Sequence, residues 1–317
     1  MPPECQARAA AVTTLPPPLA LGCGNFGGIG SAPELFGEGE SKEEAFALMD
    51  DAWARGVRWF DTADAYGGGR SERTIGSWLE ATGNRPGLTT KTFNPMDSGE
   101  DHGLAPARIH RQLRSSLDRL GVERVELYLA HEFDPETPLE ATMSAFEALK
   151  ERDVIGAYGV SNFDAPQLEG ALQHGTPSLI QNSYSLLARD DEREVLPLCA
   201  ERGVAYQAFS PLAGGWLTGK YRRDRPPPPG SRMTLRPGPY LHLEDERVYG
   251  GLDRLAGEAE RRETTMAALA LAWTLSHPGV SGIVVGPRRP DHLDPALQAL
   301  ELELSQGERA ELASFFA

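Results

Sequence analysis

Eight short apolar runs recur along the chain, and most are followed by a segment with helical spacing. That alternation constrains the fold more than any other feature. Each crossover helix returns the chain to the same edge of the sheet and so forces parallel strand pairing. The candidate strands are Leu19–Asn25, Val57–Asp61, Leu88–Lys91, Val125–His131, Ile155–Val160, Ser178–Asn182, Val204–Phe209 and Gly282–Gly286. Between them the spacing predicts helices. One is opened by a Ser41/Glu44 capping box and stopped at Gly56; others cover Ile75–Ala81, Pro106–Leu120, Pro138–Glu151, Ala165–Gln173, Glu192–Arg202 and the apolar Thr265–Ser276. Eight such units close into a single (β/α)8 (TIM) barrel of the α/β class. The rival is an open doubly wound sheet, whose first turn carries a GxGxxG string. Gly22-Cys23-Gly24-Asn25-Phe26-Gly27 fits that string, but no helix starts at Gly27, and the first helical signal is at Ser41.

The chain has 317 residues, 40% hydrophobic and 24% charged, which suits one large barrel domain spanning 1–317 with a flexible N-terminal segment at 1–18. With 34 Gly and 25 Pro it is rich in turns. Two stretches, Asn94–Leu104 and Ala213–Asp245, are too long for simple connections and read as loops shaping a binding site, or as surface inserts. The net charge of -15 argues against partners such as nucleic acid or an anionic membrane. Cys5, Cys23 and Cys199 form no CxxC pair, and no metal site is expected. No signal-peptide core or membrane-length apolar run is present, so a cytoplasmic location is expected. The sequence does not indicate an oligomeric state.

In a parallel barrel the chemistry gathers at the C-terminal ends of the strands. There the chain places Asp61, with Tyr66 in the following loop, then Lys91 and His131, on three consecutive strands. A phenol with a pKa of about 10 is a poor proton donor at neutral pH, and a neighbouring ammonium is expected to lower it. A carboxylate paired with that ammonium keeps it from being an isolated buried cation. An imidazole can orient a carbonyl oxygen. Such a set delivers a proton to oxygen as hydride reaches carbon.

FDTADAYGGGRSE, TTK, LYLAHEFD, GVSNF, IQNSYSLL and AYQAFSPLAGGWLTGKY occur here in the order of the aldo-keto reductases, and the resemblance runs over roughly residues 19–300. It implies a (β/α)8 barrel that interconverts carbonyls and alcohols with NAD(P)(H), and NADP(H) is the cofactor expected here. By resemblance Tyr66 is the general acid, Lys91 and Asp61 tune it, and His131 orients a small-molecule carbonyl substrate, whether sugar, aromatic or polyketide-like. Ser161, Asn162 and Gln181 match the nicotinamide-carboxamide positions, and Phe209 the stacking ring. Ser210, Leu212, Gly214 and Lys220 match the pyrophosphate region. Gly22, Cys23 and Gly286, at the first and eighth strand ends, are grouped with the cofactor-facing positions, as is His292. Arg288 and Arg289 are expected to meet a ribose 2'-phosphate. Pro295 and Ala296 stand where the family often has Glu-Asn, and Glu132 directly after His131 is a further departure. Phe26, Phe36, Phe93, Phe133 and Trp216 are candidate pocket residues.

Three other readings compete. A glycosidase would use Asp61 and Glu132, and a metal hydrolase Asp61, Asp64 and His131. The third is a non-catalytic NADP-binding regulatory subunit. The first leaves Tyr66 and Lys91 without roles, and the second lacks a clear third ligand of good spacing.

Overall fold

The computed structural model describes residues 14–317. Of the N-terminal segment expected to be flexible, residues 1–13 lie outside the described residues. Eight strands close a barrel in sequence order: β1 (Leu19–Gly22), β2 (Trp59–Asp61), β3 (Gly87–Thr92), β4 (Val125–Ala130), β5 (Ile155–Ser161), β6 (Leu179–Ser183), β7 (Ala205–Phe209) and β8 (Val280–Val285). Every neighbouring pair is parallel, and β8 pairs back onto β1 with Leu19 opposite Ile283. The crossovers carry α1 (Lys42–Ala54), α2 (Arg70–Thr82), α3 (Pro106–Leu120), α4 (Leu139–Glu151), α5 (Ala165–His174) and α6 (Val195–Arg202). After β7 come α7 (Arg232–Leu235), α8 (Glu246–Arg261) and α9 (Met266–Leu275); α10 (Asp294–Ala299) and α11 (Gln306–Ser314) follow β8.

The period-two alternation of a strand sorts the core into two groups. Ala20, Trp59, Leu127, Leu129, Ala157, Leu179 and Val284 pack as a small inner cluster. Leu21, Phe60, Tyr128, Tyr158, Ile180, Tyr206 and Ile283 belong to the larger core beneath the helices. Two residues further along the inward parity, Trp59 leads to Asp61, Leu129 to His131, Leu179 to Gln181 and Gln207 to Phe209. On β2, β4 and β6 the barrel interior therefore turns from apolar to polar at its C-terminal rim, while β7 ends inward on the aromatic Phe209.

Several expectations shift. β1 stops at Gly22 rather than Asn25, because the chain turns there: Phe26 N–H donates to Cys23 O at 3.1 Å and Gly30 N–H to Gly24 O at 2.7 Å. α2 starts at Arg70, five residues before the expected Ile75. The sequence reading placed no helix at α8 or α11. α8 contains Gly250, Gly251 and Gly257, which blur its pattern although it buries Leu252, Leu255 and Ala259. α11 has its own Ser305/Glu308 capping box. The stretch 213–245 folds across the rim: Met233 is buried, and Arg232 Nη2 donates to Asn25 Oδ1 at 2.5 Å, joining this stretch to the β1 loop. Among the described residues no helix is long and apolar enough to cross a membrane.

Candidate active site

The loop after β2 is held by an extension of the barrel ladder. Thr62 N–H donates to Thr89 O at 2.8 Å and Asp64 N–H to Lys91 O at 3.0 Å, beyond the last residue of β2. The chain then turns sharply, with Gly67 N–H donating to Gly30 O at 3.0 Å. Gly67 has φ 58°, and a Cβ there would lie 2.9 Å from Gly27 O, so a side chain would both strain the backbone and lift the turn off the β1 loop. Tyr66, half-buried, is thereby aimed over the rim.

Beneath it Lys91 Nζ donates to Asp61 Oδ1 at 2.5 Å and to Thr62 O at 2.9 Å, with side-chain exposures of 1% for Lys91 and 4% for Asp61. Lys91 Nζ lies 5.2 Å from the centre of the Tyr66 ring. Gln181 Nε2 donates to Asp61 Oδ2 and to Gln207 Oε1, each at 2.8 Å. Tyr66 Oη stands 3.4 Å from His131 Nε2, with the two rings edge-on. The other imidazole nitrogen, Nδ1, lies 3.3 Å from Asn94 Nδ2. An amide N–H donating to Nδ1 leaves the imidazole proton on Nε2, facing Tyr66. Arg108 holds Asn94 in place through Nη2 to Asn94 O at 2.8 Å and Nη1 to Thr92 Oγ1 at 2.9 Å.

Burial and the nearby Lys91 push His131 down to about 3, so it is a neutral hydrogen-bonding group across the physiological range. The phenol departs from the expectation that a lysine lowers it. Burial raises Tyr66 and outweighs the pull of Lys91, so it sits above its ordinary value and is fully protonated at neutral pH. Burial works to lower Lys91, but Asp61 and Tyr66 more than offset it, and the ammonium persists. Asp61 is occupied by Lys91 and Gln181 and so is not a free carboxylate for sugar hydrolysis.

Asp64 lies behind the Tyr66 turn, fully buried, and neither carboxyl oxygen has a hydrogen-bond partner among the described residues. Burial and the adjacent Glu72 push it up to about 7. The folded protein then holds a proton that the unfolded chain releases above about pH 4, so Asp64 costs stability progressively as pH rises from about 4 through 7. The advantage of Asp64→Asn over the wild type is therefore expected to be about 2–3 kcal/mol larger at pH 8 than at pH 5, part of the wild-type cost being present already at pH 5. Urea melts at the two pH values measure this, and an unchanged difference would show that Asp64 is ionised throughout.

The other sequence-selected residues divide into two groups. Ser161 is buried at the end of β5, and Asn162 follows with φ 59°, its Nδ2 donating to His131 O at 2.9 Å and to Glu132 Oε1 at 3.2 Å. Phe209 ends β7 half-buried, and Ser210 (φ 53°), Leu212, Ala213 (φ 47°) and Gly214 (φ 63°) form a tight loop above it. Gly22 and Gly286 face each other across β1 and β8, with 3.5 Å between Gly22 O and a Cβ placed on Gly286. Phe93 and Phe133 are partly buried at the rim, Phe133 edge-on to Phe163 at 5.5 Å. Five residues lie in settings other than those expected. Cys23 is buried, its thiol directed at Leu21 O, so only its backbone faces the rim. Phe26 and Trp216 are each 1% exposed and pack within the core. Arg289 lies on the surface paired with Asp291, and Arg288 is tied to the buried Glu40 at 2.8 Å, so neither is an unpaired arginine. His292 accepts from Arg288 N–H at 3.2 Å.

Sequence reasoning missed Asn94, Gln207 and Arg232. Gln207 shares the inward parity of Phe209 and could have been found that way; Asn94 and Arg232 sit in long loops without a local signal. Lys220 and Arg232 make no ion pair among the described residues. Burial lowers both, and with Arg288 they repel one another. Uncompensated cations clustered on a chain of net charge -15 suit a polyanionic dinucleotide.

The family profile described as "Aldo/keto reductase family" matches residues 18–316. The chain belongs to this family. An uncharacterized oxidoreductase of Bacillus subtilis is 33% identical over 293 residues, covering 86% of each chain. An NADH-specific methylglyoxal reductase of Escherichia coli is 30% identical over 305 residues, covering 91% of each. The solved glycerol dehydrogenase of Gluconobacter oxydans superposes with a TM-score of 0.81 at 26% identity, covering 94% of this chain and 91% of that one. This aldo-keto reductase is an NAD(P)H-dependent oxidoreductase on a (β/α)8 barrel.

Proposed function

We propose that this aldo-keto reductase uses NADPH to reduce an aldehyde or ketone, with Tyr66 as the general acid. The carrying observation is the 3.4 Å pairing of a protonated Tyr66 with a neutral His131 above the buried Lys91–Asp61 pair. Nicotinamide, when bound, supplies the hydride. His131 Nε2–H and Tyr66 Oη–H orient the carbonyl oxygen, and Tyr66 Oη gives it a proton. Lys91 steadies the resulting phenolate, and Asp61 keeps Lys91 charged and in place. Ser161, Asn162 and Gln181 would hold the carboxamide, and Phe209 would stack on the ring. Lys220 and Arg232 would meet the phosphates.

The test is NADPH absorbance against a panel of aldehydes and ketones; loss of absorbance with at least one carbonyl is expected, and cofactor binding without turnover would favour a regulatory subunit instead. Lys220→Ala and Arg232→Ala are each expected to weaken NADPH binding about 10- to 100-fold, the worth of a charge-assisted hydrogen bond. Arg289→Ala should leave it unchanged. Fluorescence titration at low and high salt measures this. Tighter binding of NADH than NADPH by the wild type would overturn the cofactor preference.

A further inference from the structure

Glu132 follows His131 directly, on the rim between β4 and β5, and none of the roles above uses it. Its Oε1 accepts from Asn162 Nδ2 at 3.2 Å. Its Oε2 accepts nothing from the described residues and is not sealed from solvent. The side chain is half-buried and forms no ion pair among the described residues. It is within electrostatic reach of Tyr66, whose phenol it helps to raise. A carboxylate in that position either has a partner that arrives with the ligand or represents an uncompensated desolvation cost.

We propose that Glu132 is a specificity-determining residue that selects carbonyl compounds carrying a hydroxyl on a carbon near the carbonyl and rejects those carrying a carboxylate. The inference rests on the reductase reading, which places the carbonyl oxygen between Tyr66 Oη and His131 Nε2. A hydroxyl on an adjacent carbon then donates to Glu132 Oε2 as a charge-assisted hydrogen bond. A 2-oxo acid brings a second carboxylate to the same spot and is repelled. Phe93 and Phe133 offer no polar alternative. Among the described residues the Asn162 amide is the hydrogen-bond partner of Glu132, the Tyr66 phenol lies within its electrostatic reach, and no cation pairs with it. Burial moves the Glu132 carboxyl up to about 7, so the rejection of oxo acids should strengthen between pH 6 and pH 8.

The experiment compares kcat/KM for glyceraldehyde, propanal and 2-oxobutanoate in the wild type, Glu132→Gln and Glu132→Ala, with NADPH affinity titrated for each to register any disturbance of Asn162. The wild type is expected to favour glyceraldehyde over propanal, and Glu132→Ala to lower that ratio about tenfold. In Glu132→Gln, which retains an acceptor for Asn162, 2-oxobutanoate should gain about tenfold relative to propanal, and the pH dependence of that ratio should vanish. If the wild type reduces propanal but both ratios are unchanged in the variants, Glu132 does not set specificity and the reductase reading stands. If the wild type reduces none of the three with either NADPH or NADH but reduces another carbonyl of the wider panel, the selection for hydroxylated carbonyls falls and the reductase reading stands; if it reduces no carbonyl of the panel while binding the cofactor, both readings fall.

Discussion

Tyr66→Phe removes nearly all carbonyl reduction, with kcat falling about 10²–10⁴-fold, while NADPH affinity stays within about twofold. The substitution deletes only the hydroxyl. The ring still packs beside Gly24, where a Cβ would lie 3.4 Å from Tyr66 Cε2, and the Lys91–Asp61 pair below remains intact. The loss is thus one of proton delivery, and it should appear in single-turnover rates rather than in binding. Because burial holds the phenol protonated, the wild-type reduction rate should be flat from pH 6 to 8 apart from the substrate-dependent influence of Glu132. Near-wild-type turnover by Tyr66→Phe would remove Tyr66 from the role of acid.

His131→Ala lowers kcat/KM for reduction by about 10²-fold or more, by an amount that differs between carbonyls, because the loss is one of orientation. The decisive companion is Asn94→Asp. In the wild type the Asn94 amide lies 3.3 Å from Nδ1 and leaves the ring proton on Nε2. A carboxylate at 94 accepts from Nδ1–H instead, turns Nε2 into an acceptor and favours the imidazolium. The expected result is a drop in kcat of at least about tenfold, the wrong tautomer being costly wherever a histidine must present a particular nitrogen. A pH dependence between 5 and 8 that the wild type lacks should accompany it, together with a changed ¹⁵N shift of the His131 ring. Asn94→Ala, which imposes no tautomer, should lie between the two. Equal activity in all three proteins would show that Asn94 does not position His131.

The parts of this structure that were legible in the sequence are those where geometry is local. Strand alternation and capping residues such as Ser41 and Glu44 specify elements within a few residues of themselves, and eight strand–helix units leave little choice of topology. Asp61, Lys91 and His131 were readable because they end strands, and the barrel brings strand ends together. What stayed hidden depends on long loops. Asn94 reaches His131 only because Arg108, fourteen residues on, clamps its carbonyl. Arg232 meets Asn25 across 207 residues of sequence. Arg288 looked available until the fold set Glu40 beside it. The phenol was misjudged for a related reason: a neighbouring charge can be guessed from order along the chain, whereas the extent of burial cannot.

The Lys91–Asp61 pair sits almost entirely out of water at the top of the barrel interior, and this has a bearing on selection. Ion pairs so deeply desolvated are commonly neutral or worse for stability than well-packed apolar side chains, by about 1–4 kcal/mol, while loss of one partner alone costs about 3–5 kcal/mol. Single substitutions are therefore purged twice over, for folding and for turnover. A simultaneous exchange of both for apolar residues escapes the first penalty and can leave a sturdier barrel with no chemistry. Screening libraries of this enzyme for heat resistance alone would enrich such inert proteins, so a useful screen must score turnover and melting together.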